Sequence, residues 1–127
     1  MGEKRIEIVT ESMFYTLMAF TQGECGGVDA AAFTERITNG RVHLGPATIY
    51  TILGRFEAEG VIKEVRRDGR RRIYVLTDLG HEMYKAECAR MESCLKDAGR
   101  VFRQQAETLP AEKQQRDVGN CETSSKS

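Results

Sequence analysis

The sequence predicts a mainly α-helical domain that carries one small β-hairpin and continues into a long C-terminal helix. Three observations support this fold class. Residues 45–60 have the start, spacing and end of one helix, an Asp-Gly dipeptide separates two basic strand-like segments, and apolar residues over 84–102 recur about every 3.5 positions. Together they predict a winged helix-turn-helix over 6–76, a C-terminal dimerisation helix over 77–107 and a disordered tail over 108–127.

Two short helices are predicted before residue 40. Thr10 is the expected N-cap of the first helix. The alternative is a helix that extends back through Ile6 and Val9, which continue the same apolar spacing. Its apolar face consists of Met13, Phe14, Leu17, Met18 and Phe20. Asp29 is the expected N-cap of the second helix, which runs from Ala30 to Thr38 and ends at Asn39-Gly40.

The stretch from Pro46 to Gly60 predicts the central helix of the domain. Proline suits the first helical position, and glycine suits the left-handed residue just past the end. Its apolar face consists of Ile49, Ile52, Leu53 and Phe56. The opposite face is small or hydrogen-bonding and nearly uncharged, whereas a solvated helix normally carries Glu and Lys there, so we predict a recognition helix for the DNA major groove. The predicted DNA contacts on this helix are Ala47, Thr48, Tyr50, Thr51 and Arg55. The alternative is a helix that serves only the core.

A basic β-hairpin is predicted directly after this helix. Residues 61–67 and 70–76 are strand-like, and Asp68-Gly69 between them is favoured in a two-residue type I′ turn. The hairpin carries Arg66, Arg67, Arg70, Arg71 and Arg72. Next to a helix-turn-helix such a hairpin suits a wing, and Arg70 and Arg71, nearest the turn, are the predicted phosphate contacts. The alternative is a hairpin whose charges only face solvent.

The last predicted helix, capped by Thr77-Asp78, has a different apolar pattern. Its seam is formed by Tyr84, Cys88, Met91, Leu95, Ala98 and Phe102. This period indicates a coiled-coil seam, so we predict a homodimer. The predicted dimer interface consists of Met13, Leu17, Tyr84, Cys88, Met91, Leu95 and Phe102. The candidates for binding a small apolar effector are Met13, Leu17, Met91 and Leu95, and the alternative is that these residues form only the dimer core.

Charge is distributed unevenly, although the 127 residues have a formal net charge of zero. Residues 41–76 contain 8 basic and 4 acidic side chains, whereas the rest of the chain contains 11 basic and 15 acidic ones. A basic centre between acidic ends suits a local anionic partner. No apolar run approaches the roughly 18 residues of a membrane span, and no apolar signal region follows the N-terminus. The sequence therefore predicts a cytoplasmic protein without a membrane partner.

Neither a metal site nor a catalytic constellation is predicted. The cysteines form no C-x-x-C pair, and His81-Glu82 lacks the second histidine of a zinc-protease motif because Lys85 occupies that position. We therefore expect no catalytic residue, no metal and no cofactor, and a protein that is not an enzyme. Free cysteines are usually packing residues, but Cys25 and Cys88 leave a redox-sensing alternative open.

Taken in order, these motifs resemble those of PadR-family transcriptional regulators over about residues 10–105. The resemblance rests on Thr38-Asn39-Gly40, Gly45 to Leu53, Arg55-Phe56-Glu57, Glu59 to Ile62, and Gly69 to Gly80. The short length and single C-terminal helix resemble the smaller subgroup, which includes multidrug-binding repressors. Those proteins place a tryptophan on the long helix to stack on flat ligands, whereas this chain has no tryptophan and carries Met91 at that position.

The resemblance implies a sequence-specific DNA-binding regulator that is a ligand-responsive repressor. Its partners would be double-stranded DNA, a second copy of the chain on an inverted-repeat operator, and a small apolar effector. The effector would act by favouring a spacing of the two recognition helices that misfits DNA, because only differential binding shifts such an equilibrium. The alternative is a winged-helix protein–protein interaction module without DNA binding.

Overall fold

The computed structural model describes residues 6–108, which form four α-helices and one two-stranded antiparallel sheet. In chain order the elements are α1 (Glu11–Phe20), α2 (Gly27–Ile37), α3 (Pro46–Ala58), β1 (Ile62–Asp68), β2 (Arg71–Leu76) and α4 (Asp78–Thr108). The predicted fold class is confirmed. The chain divides into two compact units, of which the first ends at Glu87 and the second begins at Cys88. Of the predicted disordered tail over 108–127, Thr108 is the last residue of α4, and residues 109–127 lie outside the described residues.

The first helix begins at its predicted cap and does not extend further back. Thr10 has an extended backbone, and its Oγ1 accepts a hydrogen bond of 3.2 Å from the Met13 N–H. The alternative of a helix that extends back through Ile6 and Val9 is not formed, because this cap makes Glu11 the first helical residue. The segment is instead held to the C-cap residue of α3, since the Ile6 N–H donates to Glu59 Oε1 at 2.6 Å.

The second helix starts three residues earlier than predicted, at Gly27. Asp29 is therefore not the N-cap, and that prediction is wrong. Asp29 occupies the third helical position, where its Oδ2 accepts a hydrogen bond of 2.8 Å from the N–H of the N-cap residue, Gly26. This is the acidic half of a capping box, and it leaves a carboxylate at the start of α2.

The end of α3 follows the predicted glycine stop. Gly60 has a φ of +77°, and the Val61 N–H donates to the Phe56 carbonyl oxygen at 2.8 Å. This 6→1 hydrogen bond and the left-handed glycine are the two features of a Schellman cap. The chain reverses there and enters β1 two residues later.

The hairpin differs from the prediction at its turn. Asp68 pairs with Arg71, so the two turn residues are Gly69 and Arg70 rather than Asp68 and Gly69. Among them only Gly69 has a positive φ, of +67°. A type I′ turn needs positive φ at both central residues, so the predicted type I′ turn over Asp68-Gly69 is wrong. The new register places Arg70 at the tip of the wing.

The hydrophobic core lies in the first unit, where α1 packs against α2, α3 and β2. Its largest fully buried apolar side chains are Phe20, Phe56, Leu17, Ile62 and Val61. Leu17 has 0% of its surface exposed. The prediction that Leu17 contributes to a subunit interface and to an effector pocket is therefore wrong, because it has no surface to offer a second molecule. Met13 packs only partly against the core.

The start of α4 is packed tightly against the end of the sheet. Thr77 Oγ1 accepts a hydrogen bond of 3.1 Å from the Gly80 N–H and donates to the Val61 carbonyl oxygen at 2.9 Å. A Cβ atom at Gly80 would lie 2.4 Å from that same carbonyl oxygen and 2.5 Å from Leu76 Cδ1. The close approach of the helix to the sheet therefore requires glycine at this position.

Candidate nucleic-acid interface

The face of α3 that points away from the core carries the predicted DNA contacts. The residues Ala47, Thr48, Tyr50, Thr51 and Arg55 are all exposed. Tyr50 exposes 59% of its surface, although it is a large aromatic residue. Within residues 6–108, the side-chain oxygens of Thr48, Tyr50 and Thr51 make no hydrogen bond. The structure thus leaves these groups available to a partner, and their contact with DNA stays a prediction.

Arg55 differs from its neighbours because its side chain already forms an ion pair within the chain. Its Nε donates to Glu59 Oε2 at 2.8 Å, one helical turn further on. The other oxygen of Glu59 accepts from the Ile6 backbone. An anion near Arg55 would therefore share this guanidinium with a carboxylate that has a second structural role.

Most arginines of the wing are held by carboxylates. Arg66 Nη1 pairs with Glu24, Arg67 Nε with Glu64 Oε2 at 3.0 Å, and Arg71 Nη2 with Asp29 Oδ2 at 2.5 Å. The first and third of these ion pairs join the wing to the segment at the start of α2. A backbone bridge adds to them, since the Tyr74 N–H donates to the Cys25 carbonyl oxygen at 2.9 Å and the Tyr74 carbonyl oxygen accepts from the Cys25 N–H at 3.1 Å. These contacts fix the position of the hairpin.

Arg72 is the most constrained of the wing arginines. Its Nε donates to Glu64 Oε1 at 2.6 Å, and its Nη2 donates to both carboxylate oxygens of Glu57, at 2.9 and 2.8 Å. Its guanidinium also lies 5.2 Å from the centre of the Tyr74 ring. The hydrogen bond from Arg72, followed by the one from Arg67, lowers the pKa of the Glu64 carboxyl. Arg72 therefore ties the wing to α3.

Arg70 alone among the five wing arginines forms no ion pair or hydrogen bond with any residue from 6 to 108. It is exposed and lies in the two-residue turn, as the register of the hairpin shows. A free guanidinium at the tip of a wing can bind an anion without losing an internal partner. Of the two predicted phosphate contacts in the wing, Arg70 is thus available and Arg71 is shared with Asp29.

An open cleft of about 410 Å³ lies between the start of α2, α3 and the wing. Tyr50 and Gly54 line it from α3, Arg70 and Arg71 line it from the wing, and Gly27 lines it from α2. The cleft therefore joins predicted contacts that lie some twenty residues apart in sequence. Gly54 was not among the predicted site residues, because a helical glycine carries no chemical signal in the sequence.

The thiol of Cys25 is in an environment that suppresses its reactivity. Burial, and to a smaller extent the charge of Asp29, raise the pKa of Cys25 to about 12. The thiolate is the reactive form of cysteine, and it is almost absent near neutral pH when the pKa is this high. This environment argues against the redox-sensing alternative for Cys25.

We expect Cys25 to resist alkylation by iodoacetamide from neutral pH to about pH 10, because its thiol stays protonated throughout that range. The exposed Cys94 should be modified quickly under the same conditions. Peptide-resolved mass spectrometry after timed alkylation measures both rates. In denaturant Cys25 should react as fast as Cys94, which controls for local sequence. Equal rates in the native protein would contradict the expected protection.

The residues predicted to form a dimer interface differ in their surroundings. In the first unit Tyr84 stacks on Phe14, with ring centres 5.5 Å apart and planes inclined by 21°. In the second unit Cys88 and Met91 are partly buried. Further along, Leu95 and Phe102 expose 73% and 51% of their surface. The strongest exposed apolar face of the predicted seam is therefore at Leu95 and Phe102.

Within residues 6–108, no three His, Cys, Asp or Glu side chains lie close enough together to hold a metal ion. None of the described helices is both long and apolar enough to cross a lipid bilayer.

The acidic partners of the wing are the residues that the sequence prediction missed. Glu24 and Asp29 each pair with an arginine 42 positions away in the sequence. The only sequence signal for these ion pairs was the presence of two acidic residues beside a glycine-rich loop. That signal indicates ion pairs only once the loop is known to lie next to the arginine-rich hairpin. Sequence alone does not show that these two segments meet.

A helix pair whose second helix exposes a polar face, followed by an arginine-bearing hairpin, defines the winged helix-turn-helix class of DNA-binding proteins. The family model of the PadR-like transcriptional regulators matches residues 16–86. The chain belongs to this family of transcriptional regulators, which is not a family of enzymes.

Several known structures share the fold of this chain. The chain resembles a transcriptional regulator from Clostridium thermocellum with a TM-score of 0.62 and 24% identity, over 68% of this chain and 88% of that one. It resembles a PadR family transcription regulator from Clostridium difficile with a TM-score of 0.62 and 18% identity, over 72% and 98% of the two chains. A third similar structure is RosR of H. salinarum, with a TM-score of 0.60, 15% identity, and coverage of 83% and 100%.

One curated protein is also similar in sequence. It is an uncharacterized 37.1 kDa protein in transposon TN4556 of Streptomyces fradiae, 30% identical over 92 residues, which are 72% of this chain. The chain spans only 25% of the length of that relative. The similarity therefore gives no activity for this chain.

Proposed function

We propose that this chain is a sequence-specific DNA-binding repressor that acts as a homodimer on an inverted-repeat operator. The single observation that carries the proposal is the exposed face of α3, where Thr48 and Thr51 have side-chain oxygens without a partner in residues 6–108. Threonine can hydrogen-bond to base edges, and its methyl group can contact thymine. Residues near the start of a recognition helix are the ones that reach bases, so Thr48 would contribute most to sequence preference.

The wing would supply affinity that does not depend on sequence. Phosphate contacts by arginine release counterions and weaken with salt. Because Arg66, Arg67, Arg71 and Arg72 are paired with carboxylates, DNA phosphates would compete with internal partners for them. Arg70 has no such competitor among the described residues. We therefore assign the largest wing contribution to Arg70.

Replacing Arg70 by alanine should weaken binding about 10-fold for every duplex, because a charge-assisted hydrogen bond to phosphate is lost. Fluorescence anisotropy with the DNA upstream of the chain's own gene, and with a random duplex of equal length, measures this across a salt series. The slope of the logarithm of the binding constant against the logarithm of the salt concentration should decrease by about the contribution of one phosphate contact. Arg100→Ala is the matched control, since it removes the same charge from α4 outside the wing, where Arg100 pairs with Asp97 at 2.7 Å.

The outcomes of this experiment separate the proposal from its rival. Saturable binding of the unmodified protein that prefers the upstream duplex supports a sequence-specific regulator. If the unmodified protein binds neither duplex at low salt, the proposed regulator function is overturned and the protein–protein interaction module is favoured. Equal loss in Arg70→Ala and Arg100→Ala would show that only overall charge matters.

The homodimer is supported by the apolar face of the second unit. Leu95 and Phe102 are seven residues apart on one helix, which places them on the same face of a heptad. Large apolar side chains on an exposed helix face favour association, because water is released when they are covered. We propose that a second copy of α4 covers them. Two copies would then present two recognition helices to an inverted repeat.

Response to an apolar effector stays a prediction of the family resemblance. Without Leu17, the candidate effector residues are Met13, Met91 and Leu95. The cytoplasmic location also stays a prediction.

A further inference from the structure

Thr77 connects the end of α3 with the start of α4 through one side-chain hydroxyl. It lies between β2 and α4. Its Oγ1 accepts a hydrogen bond of 3.1 Å from the Gly80 N–H in the first turn of α4. Its single hydroxyl hydrogen is shared between two carbonyl oxygens, that of Gly60 at 2.6 Å and that of Val61 at 2.9 Å. One hydroxyl therefore bonds both the start of α4 and the segment directly after α3.

The segment that accepts these hydrogen bonds is fixed to α3. Gly60 has the left-handed conformation that ends the helix, and the Val61 N–H donates to the Phe56 carbonyl oxygen at 2.8 Å. Val61 and Ile62 each expose only 1% of their surface. The Thr77 N–H adds a further hydrogen bond to the Val61 carbonyl oxygen, at 3.0 Å. The end of α3 and Thr77 therefore move together.

The start of α4 is fixed at the same point. The His81 N–H donates to the Thr77 carbonyl oxygen at 2.9 Å, so the helical hydrogen bonds begin at Thr77 itself. A Cβ atom at Gly80 would overlap the Val61 carbonyl oxygen, which shows how closely the first turn approaches the end of α3. The part of α4 up to Glu87 belongs to the same compact unit as α3. This junction therefore sets the direction in which α4 starts.

We propose that Thr77 is a positioning residue that sets the spacing of the two recognition helices in the dimer. The inference rests on the proposed function, in which α3 reads DNA and a second copy of α4 covers Leu95 and Phe102. Because α4 is one helix over Asp78–Thr108, the element that Thr77 bonds to the end of α3 also carries this association face. The angle between α3 and α4 at Thr77 then determines how far apart two copies of α3 lie on an inverted repeat.

Thr77→Asp separates this role from the ordinary capping of α4. Aspartate caps a helix start as well as threonine does, because its carboxylate accepts from the same N–H. An ionised carboxylate has no hydrogen to donate, so the bonds to Gly60 and Val61 are lost. Thr77→Ser keeps both donor and acceptor. The matched control is Thr10→Asp at the cap of α1, since the Thr10 hydroxyl accepts from the Met13 N–H and donates to no group within residues 6–108.

The DNA probes are the inverted repeat that footprinting locates in the upstream duplex, and the same duplex with two base pairs inserted at its centre. The insertion rotates one half-site by about 70° around the duplex axis relative to the other. A duplex with a single half-site measures binding that does not depend on spacing. Fluorescence anisotropy gives each dissociation constant, and the ratio between duplexes cancels the effect of the added charge. Analytical ultracentrifugation and circular dichroism check that each variant is dimeric and folded.

The insertion should weaken binding of the unmodified protein, Thr10→Asp and Thr77→Ser by about 100-fold, because only one half-site can then be contacted at a time. In Thr77→Asp the same insertion should weaken binding by less than about 5-fold, since the loosened junction lets two copies of α3 adapt to either spacing. Binding of Thr77→Asp to the original repeat should fall by about 10-fold, because its two copies of α3 are no longer held at the matching spacing. Should Thr77→Asp fail to fold, Thr77→Val takes its place, since it keeps the shape of threonine and removes the hydroxyl.

The possible results distinguish this inference from the proposed function. If the dimeric Thr77→Asp variant is as sensitive to the insertion as the unmodified protein, the hydroxyl does not set the spacing and the inference is overturned. A selective loss of binding to the single half-site in Thr77→Asp, absent in Thr10→Asp, would also overturn it, because Thr77 would then act on α3 alone. If the unmodified protein binds no duplex or protects no inverted repeat, the proposed function itself fails.

Discussion

Gly80→Ala should lower the free energy of unfolding by about 3 kcal/mol or more, at the upper end of the cost of overpacking. The added methyl group would lie 2.4 Å from the Val61 carbonyl oxygen and 2.5 Å from Leu76 Cδ1. Neither neighbour can move freely. The Val61 carbonyl accepts from the Thr77 N–H at 3.0 Å and from the Thr77 hydroxyl, and Leu76 is part of the core. A small domain should then lose roughly 15 °C from its unfolding midpoint.

Circular dichroism during thermal and urea unfolding measures the change. Gly99→Ala is the control, since it makes the same replacement inside α4 where a Cβ has ordinary contacts. That variant should be as stable as the unmodified protein or slightly more stable, because alanine favours the helix. If both variants unfold at the original midpoint, the packing of α4 on the sheet tolerates a side chain and the structural account of Gly80 is wrong.

Features fixed by local chemistry were predictable from the sequence. The start and end of α3 follow from Pro46 and Gly60, whose backbone preferences hold in any fold. The N-cap at Thr10 is local in the same way. The start of α2 was misplaced because Asp29 suits both the N-cap and the third helical position, and the actual cap, Gly26, has no side chain to signal it.

Features that depend on tertiary packing were not predictable. An apolar helix face shows that residues are buried, but it does not show whether they face their own core or a second subunit, so Leu17 was misassigned. The ion pairs of Arg66 and Arg71 join segments 42 residues apart, and alternation along a strand gives no information about such partners. Sequence placed the arginines in a wing, whereas only the structure separates Arg70 from the four that have partners.

The second large effect is expected at the proposed dimer face. Leu95→Glu should convert a dimer into a monomer near the 14.3 kDa mass of the chain, because 73% of the Leu95 surface is exposed and would be covered by the partner. Two carboxylates brought together at a two-fold interface repel each other and lose their hydration. Analytical ultracentrifugation at micromolar concentration measures the mass. The first unit should remain folded, since Leu95 lies outside it.

Leu95→Glu should also weaken DNA binding, and by more than the replacement of any single DNA-contact residue. A dimer on an inverted repeat gains from two linked half-sites, and losing the link weakens binding by about 100-fold or more. Ser93→Glu is the control, because it adds the same charge at an exposed position two residues away, which does not share a helix face with Leu95. It should remain dimeric and bind the upstream duplex normally. If the unmodified protein is monomeric, the proposed dimer is wrong. If Leu95→Glu stays dimeric and binds DNA tightly, the subunits associate through another surface and not through the exposed face of Leu95 and Phe102.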